Sequence, residues 1–281
     1  MSDAMTSFTD EFVSSFVVSG CLASLGVQAR VLQTSVVPIA TRLLNAPDFI
    51  LDDVSAMVTM LFVNLVIIFG PTYVTLSRGA ANNPVVYVLK AMLGRCGKRR
   101  AGANALASIA AHIASLYALD RASTAFPQYF PGKAPVRALI PSGGFTRGAL
   151  AEAAVTSANF IFAGLAEKTF SSPLLPAIGS GFYVLTMMME GCKNSCGYMN
   201  PSPVIASHVV AGNVFSQEAL DAIGTYVVGA LLGCVITWLV AKATTPEPKS
   251  VRRQRSTSKA AQRSLSKRQQ SARSKAKSSS S

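Results

Sequence analysis

Apolar residues in this chain come in long blocks separated by short polar breaks. Six blocks approach the roughly 20 residues that a helix needs to cross hydrocarbon: about 11–29, 54–74, 102–119, 148–166, 172–190 and 219–241. Six spans return the chain to the side on which it started. The short loop between the second and third blocks carries Arg95, Lys98, Arg99 and Arg100. It falls on the same side as a basic C-terminal stretch, and the excess of cations makes that side cytoplasmic. The pattern predicts an all-α multi-pass membrane protein with both termini in the cytoplasm; which membrane holds it, an intracellular one or the plasma membrane, is left open.

The polar breaks divide the chain in two. The connection from Asp120 to Arg147 is long and bears Pro127, Pro131, Pro135 and Pro141, which marks an external loop joining two halves. Each half then holds three helices, and an odd number inserts the second half upside down relative to the first, as an inverted repeat over about 8–119 and 148–241. The halves echo one another. Asp10-Glu11-Phe12 and Ala151-Glu152-Ala153 each set a carboxylate near the start of an apolar helix. Small residues stud the last helix of each half, Ala107, Ala110, Ala111 and Ala114 in one and Gly224, Gly229, Ala230 and Gly233 in the other, where they allow close helix approach in lipid.

Two further apolar segments are too short to span: Asn83-Pro84-Val85-Val86-Tyr87-Val88-Leu89 and Asn200-Pro201-Ser202-Pro203-Val204-Ile205-Ala206. Asparagine as N-cap and proline at the first helical position are the expected start of a helix. Each segment therefore reads as a re-entrant half-helix beginning within the membrane, where irregular backbone is tolerated only if protein buries it or water fills a cavity. One such segment per inverted half brings two helix N-termini together at the midplane. Each terminus carries about half a positive charge, so the point where they meet repels cations and offers asparagine amides to a passing oxygen. That arrangement describes a pore.

Composition agrees with a membrane class, with 50% hydrophobic and 14% charged residues. The net charge of +13 belongs to a tail: 11 Lys or Arg and no Asp or Glu lie between Lys249 and Lys277. Residues 1–244 form the membrane domain in this reading, and residues 245–281 a disordered, Ser-rich, basic cytoplasmic tail. The tail suits contact with anionic lipid, and serines beside cations, as at Arg255-Ser256 and Arg263-Ser264, suit a phosphorylation switch. A nucleic-acid partner does not fit a membrane body. The N-terminus lacks a basic region and a small-residue cleavage site, so the first block reads as a retained helix. Of Cys21, Cys96, Cys192, Cys196 and Cys234, three lie in apolar runs or beside basic residues without metal-ligand spacing; Cys192 and Cys196 could pair or share a metal, but both histidines lie elsewhere and no zinc site or disulfide framework follows. With no nucleophile elbow or phosphate loop either, neither an enzyme nor a metal or other cofactor is expected.

The order and spacing of these motifs resemble the aquaporin superfamily, over about residues 8 to 241. Gly79-Ala80-Ala81-Asn82-Asn83-Pro84-Val85-Val86 is similar to the family's Gly-Ala-His-Leu-Asn-Pro-Ala-Val, and Gly197-Tyr198-Met199-Asn200-Pro201-Ser202 to its Ser-Met-Asn-Pro-Ala. The resemblance implies a passive channel for water or small uncharged solutes such as glycerol or hydrogen peroxide, assembled as a homotetramer in the bilayer. Val85 and Ser202 replace the family's alanines, and Pro203 stands where the filter arginine is usual. Family spacing puts the other filter positions at Val63, Met188 and Gly197, which together imply a more apolar constriction in an unorthodox member. Two other functions compete: a non-conducting scaffold that keeps the fold, and a proton- or ion-coupled transporter.

Glu11 and Glu152 match the family's buried glutamates, which hold the half-helix loops by hydrogen bonds; an intramembrane carboxylate is also a candidate proton carrier. His112 sits at a position where the family often has glutamine, implying a structural hydrogen bond. His208, on the second half-helix, is a candidate pH sensor in one vestibule. Asn64 and Asn159 read as interhelical hydrogen-bonding residues.

Overall fold

The computed structural model describes residues 7–43, 52, 55–56, 58–60, 63, 78–130, 144–169 and 198–244. The expected span 172–190, Asn64, Cys192, Cys196 and the tail 245–281 lie outside the described residues, as does most of 54–74. The chain divides into two compact units, Met1–Trp238 and Leu239–Ser281. The side-chain contacts described below lie within the first.

The described fold is helical. In chain order the helices are α1 (Phe8–Ala23), α2 (Leu25–Leu43), α3 (Pro84–Met92), α4 (Lys98–Ala125), α5 (Gly144–Thr169), α6 (Pro201–Val210) and α7 (Gln217–Thr244), with a 3-10 turn over Pro127–Tyr129. Among the described residues, Lys98–Ala125, Gly144–Leu165 and Gln217–Thr244 are long and apolar enough to cross a membrane. The pair α1 and α2 would make a fourth span if counted as one.

α1 starts at a capping box, in which the Ser7 hydroxyl accepts from Asp10 N while the Asp10 carboxylate accepts from Ser7 N. The apolar block expected to run straight over 11–29 bends instead by 57° between Ala23 and Leu25. Serine chemistry accounts for it. The Ser24 hydroxyl donates back to the Gly20 carbonyl at 2.6 Å, and the Gln28 amide donates to the Ser24 hydroxyl at 2.6 Å and to the Cys21 carbonyl at 3.3 Å. Such side-chain competition for helical carbonyls bends helices. Further on, Pro38 has no N–H to offer the preceding turn, and the ladder widens into a π turn over Leu32–Val36.

α1 lies along α4, and both short helices, α3 and α6, also pack on α4. Val85 and Leu89 of α3 share a buried cluster with Ala230 and Cys234 of α7, flanked by Phe160 of α5. Val204 of α6 packs with Ala222 and Tyr226 of the same α7. Helices from the two halves of the sequence thus jointly bed both half-helices.

The α5–α7 crossing depends on glycine. A Cβ at Gly229 would lie 2.5 Å from Glu152 Cβ and 2.7 Å from the Ala149 carbonyl oxygen, and one at Gly233 would lie 2.7 Å from Thr156 Cβ. Backbone is the obstacle at Gly229, so relief requires the helices to separate. Gly229→Ala should lower unfolding free energy in detergent by about 1–3 kcal/mol. Gly102→Ala, where nothing lies within 4 Å of the added methyl, should be neutral or slightly stabilising. Equal thermal unfolding of the two variants would show that the crossing is looser than the geometry requires.

Candidate pore site at two asparagine caps

Asn83 and Asn200 occupy equivalent positions and do equivalent work. Each has extended backbone, with φ −150° and −140°. Each turns its side-chain oxygen onto the helix that it starts: Asn83 Oδ1 accepts from Val85 N and Asn200 Oδ1 from Ser202 N, both at 3.0 Å. Pro84 and Pro201 follow at the first helical positions, where a missing N–H leaves no helical bond unmade.

The other end of each amide crosses to the opposite half. Asn83 Nδ2 donates to the Met199 carbonyl at 2.9 Å, and Asn200 Nδ2 donates to the Asn82 carbonyl at 2.8 Å. The N-termini of α3 and α6 therefore abut, each cap tied to the residue preceding the other. Both acceptor residues stand in the left-handed region, Asn82 at φ 55° and Met199 at φ 52°. For methionine this conformation costs about 1–2 kcal/mol, and something must hold it.

The two glutamates hold it. Glu152, fully buried on α5, accepts from Tyr198 N through Oε1 at 3.0 Å and from Met199 N through Oε2 at 2.7 Å. Glu11, fully buried on α1, accepts from Ala81 N at 2.8 Å. Each carboxylate thus grips the backbone just ahead of its own asparagine. Glu11 takes two more donors, a short hydrogen bond from the Tyr87 hydroxyl on α3 and one from the Ser15 hydroxyl at 3.0 Å. Ser15 also contacts the Ser108 hydroxyl of α4 at 3.2 Å.

The remaining sequence-derived positions divide. Val85, at 2% exposure, is core, and its carbonyl accepts from the Cys234 thiol at 3.4 Å. Ser202 is fully buried, and its hydroxyl has no partner among the described residues. Pro203 is half-buried in the first turn of α6, three residues from Asn200. Val63 is helical and 39% exposed, while Met188 and Gly197 lie outside the described residues, so the four expected filter positions are not brought together within them.

His112 is buried on α4, its Nδ1 2.8 Å from the Ser108 carbonyl. A carbonyl only accepts, so this nitrogen carries the proton. His208 is fully buried on α6, with Nδ1 3.0 Å from Asn213 Oδ1 and Nε2 without a partner among the described residues. Asn159 makes polar contacts within the fold.

Four participants carried no sequence signal that singled them out: Asn82 and Met199, which act through backbone carbonyls, and Tyr87 and Ser15, which complete the shell of Glu11. The four-residue spacing of Glu11 to Ser15 and of Asn83 to Tyr87 was the available clue, because residues four apart share a helix face.

Replacing Glu152 with glutamine turns one acceptor into a donor facing a backbone N–H. Glu152→Gln should cost about 1–3 kcal/mol of stability, read as a lower unfolding midpoint in detergent. An unchanged midpoint would show that the Tyr198–Met199 segment is held by other means. Ser202→Ala, which removes a buried hydroxyl with no described partner, should leave the midpoint unchanged or raise it; a clear fall would reveal a partner for that hydroxyl.

No protein-family description matches the sequence, and no curated protein matches it. Solved structures do resemble the fold. The aquaglyceroporin from Plasmodium falciparum superposes with a TM-score of 0.57 at 13% identity, covering 85% of this chain and 97% of that one. At that identity the likeness concerns the fold alone: this chain has an aquaporin-like helical fold with apolar helices suited to a membrane.

Proposed function

We propose that the chain is a passive multi-pass membrane channel for water or small uncharged solutes of glycerol or hydrogen peroxide size. One observation carries the reading: two helix N-termini abut through reciprocal asparagine amides, in a fold shared with an aquaglyceroporin. Each asparagine NH2 has two N–H groups, and the bond across the junction uses one. The second is suited to a permeant oxygen, while the positive ends of α3 and α6 disfavour a cation at the same place.

The full architecture belongs to the same proposal: six spans, two re-entrant half-helices in an inverted repeat, cytoplasmic termini, a homotetramer, and a basic tail beyond residue 244 that meets anionic lipid. Proton coupling through the glutamates is less well supported. Both Glu152 oxygens accept backbone N–H groups, an arrangement suited to a fixed structural anchor.

The test is osmotic swelling of vesicles holding the full chain, with water, glycerol and hydrogen peroxide compared side by side and electrical recording alongside. Flux above that of empty vesicles without current is expected. Absence of flux in correctly folded protein would favour the scaffold, and proton-dependent current the transporter.

Pro203 offers a sharper form of the test. It lies in the first turn of α6, where helical N–H groups have no intrahelical acceptor, so Pro203→Arg disturbs no helix ladder. An arginine there would narrow the passage and add a fixed cation. Glycerol permeation should fall more than water permeation, without a rise in ion conductance. An unchanged glycerol-to-water ratio would remove position 203 from the pore wall.

A further inference from the structure

The proposed pore lacks an arginine at position 203, yet a fixed cation stands on the other half-helix. Asn83, Val86 and Lys90 are spaced by three and four residues and so lie along one stripe of α3. All three are partly accessible, whereas Val85, Tyr87 and Leu89 are buried. The stripe thus starts at the amide that bridges the two halves and ends at Lys90, whose backbone lies about 10 Å further along the helix, at 1.5 Å per residue.

The ammonium is placed, not merely tethered. Lys90 Nζ donates to the Gly79 carbonyl at 3.1 Å and lies 5.1 Å from the centroid of the Tyr87 ring. Gly79 belongs to the non-helical approach that ends in Asn82 and Asn83, so the cation sits beside the segment leading to the asparagine junction. The chain then turns at Gly94 and reaches Arg95, Lys98, Arg99 and Arg100, the group that identifies this as the cytoplasmic side.

We propose that Lys90 is the charge-selecting residue of the channel, a fixed cation on the cytoplasmic half of the path that does the work for which Pro203 has no charge. The inference rests on the channel reading above. A unit charge a few ångströms from a narrow, partly desolvated path repels monovalent cations and leaves neutral solutes almost untouched. The ring face of Tyr87 and the Gly79 carbonyl keep the flexible side chain in one place. Selection by charge is thereby separated from selection by size.

The full-length chain in vesicles tests this with Lys90→Arg, Lys90→Gln and Lys90→Met, scoring K+ current against osmotic water flux. Lys90→Gln keeps a donor for the Gly79 carbonyl without the charge, and Lys90→Arg keeps the charge. The K+-to-water permeability ratio should rise about tenfold in the glutamine and methionine variants and stay at the wild-type value in the arginine variant. If methionine alone raises the ratio, Lys90 is a strap for the Gly79 segment and the proposal falls. It falls as well if neither neutral variant raises the ratio while wild-type water flux persists. Absence of water and glycerol flux in the wild-type protein overturns the channel reading, and this inference with it. Should the methionine variant not fold, the comparison of glutamine with arginine decides alone.

Discussion

The structure depends on a pair of crossed hydrogen bonds, Asn83 to the Met199 carbonyl and Asn200 to the Asn82 carbonyl. A half-helix that begins inside a fold leaves unpaired N–H groups at its start, and the non-helical residues just before it add N–H groups of their own. Both debts fall on the same few residues. The asparagine side chain meets them from two directions, because one amide offers an acceptor to its own helix and a donor to the opposite loop. The glutamates then take the N–H groups that the asparagines leave. With each loop held from both flanks, a left-handed Met199 is tolerable where in isolation it would relax to another conformation.

The two halves reach this geometry with different packing. On the first side, both helices of the α1–α4 contact bury polar residues: Ser14, Ser15 and Ser19 on α1, and Asn104, Ser108, His112 and Ser115 on α4. Ser15 to Ser108 is a direct link, and a Cβ on Gly20 would come within 3.0 Å of Ser115 Oγ. On the second side, the α5–α7 contact replaces hydroxyls with the bare backbone of Gly229 and Gly233. Small side chains and small polar ones are alternative ways to bring helices close where lipid supplies no hydrophobic drive between them. They leave different tolerances, since a serine hydroxyl rotates away from an intruding methyl and the Ala149 carbonyl does not.

Legibility from sequence followed the range of the interaction concerned. Asn83-Pro84 and Asn200-Pro201 were readable because capping is local and residue-specific, and Glu11 and Glu152 because a carboxylate in an apolar helix is conspicuous. The partners of those residues were not readable. Asn82 and Met199 contribute carbonyl groups, which every residue has, and the left-handed backbone of Met199 is held from outside by Glu152 instead of being encoded by glycine or asparagine. The bend after Ala23 was hidden for a related reason: 11–29 is a continuous apolar block, and only the hydroxyl of Ser24 and the amide of Gln28, folded back on Gly20 and Cys21, divide it. The positions at Val63, Met188 and Gly197 rested on spacing carried over from a family, with no capping or packing chemistry of their own to mark them.

In the proposed pore the two asparagine-capped helices start alike and differ in chemistry further along, at particular positions. Four residues after the asparagine, Tyr87 sends a hydroxyl to Glu11, whereas Val204 joins the apolar contact with Ala222 and Tyr226. Seven residues after it, Lys90 is a partly accessible cation, whereas Ser207 is buried and donates to the Val204 carbonyl. Eight residues after it, Ala91 corresponds to the buried His208. None of these differences touches the crossed asparagine bonds, which require only a cap, a proline and a carbonyl. The junction therefore constrains where a permeant passes, and the residues one to two turns away are free to set what passes. Under the proposed role of Lys90 the first half-helix supplies the fixed cation, so the direction in which a cation approaches the junction decides where it is turned back.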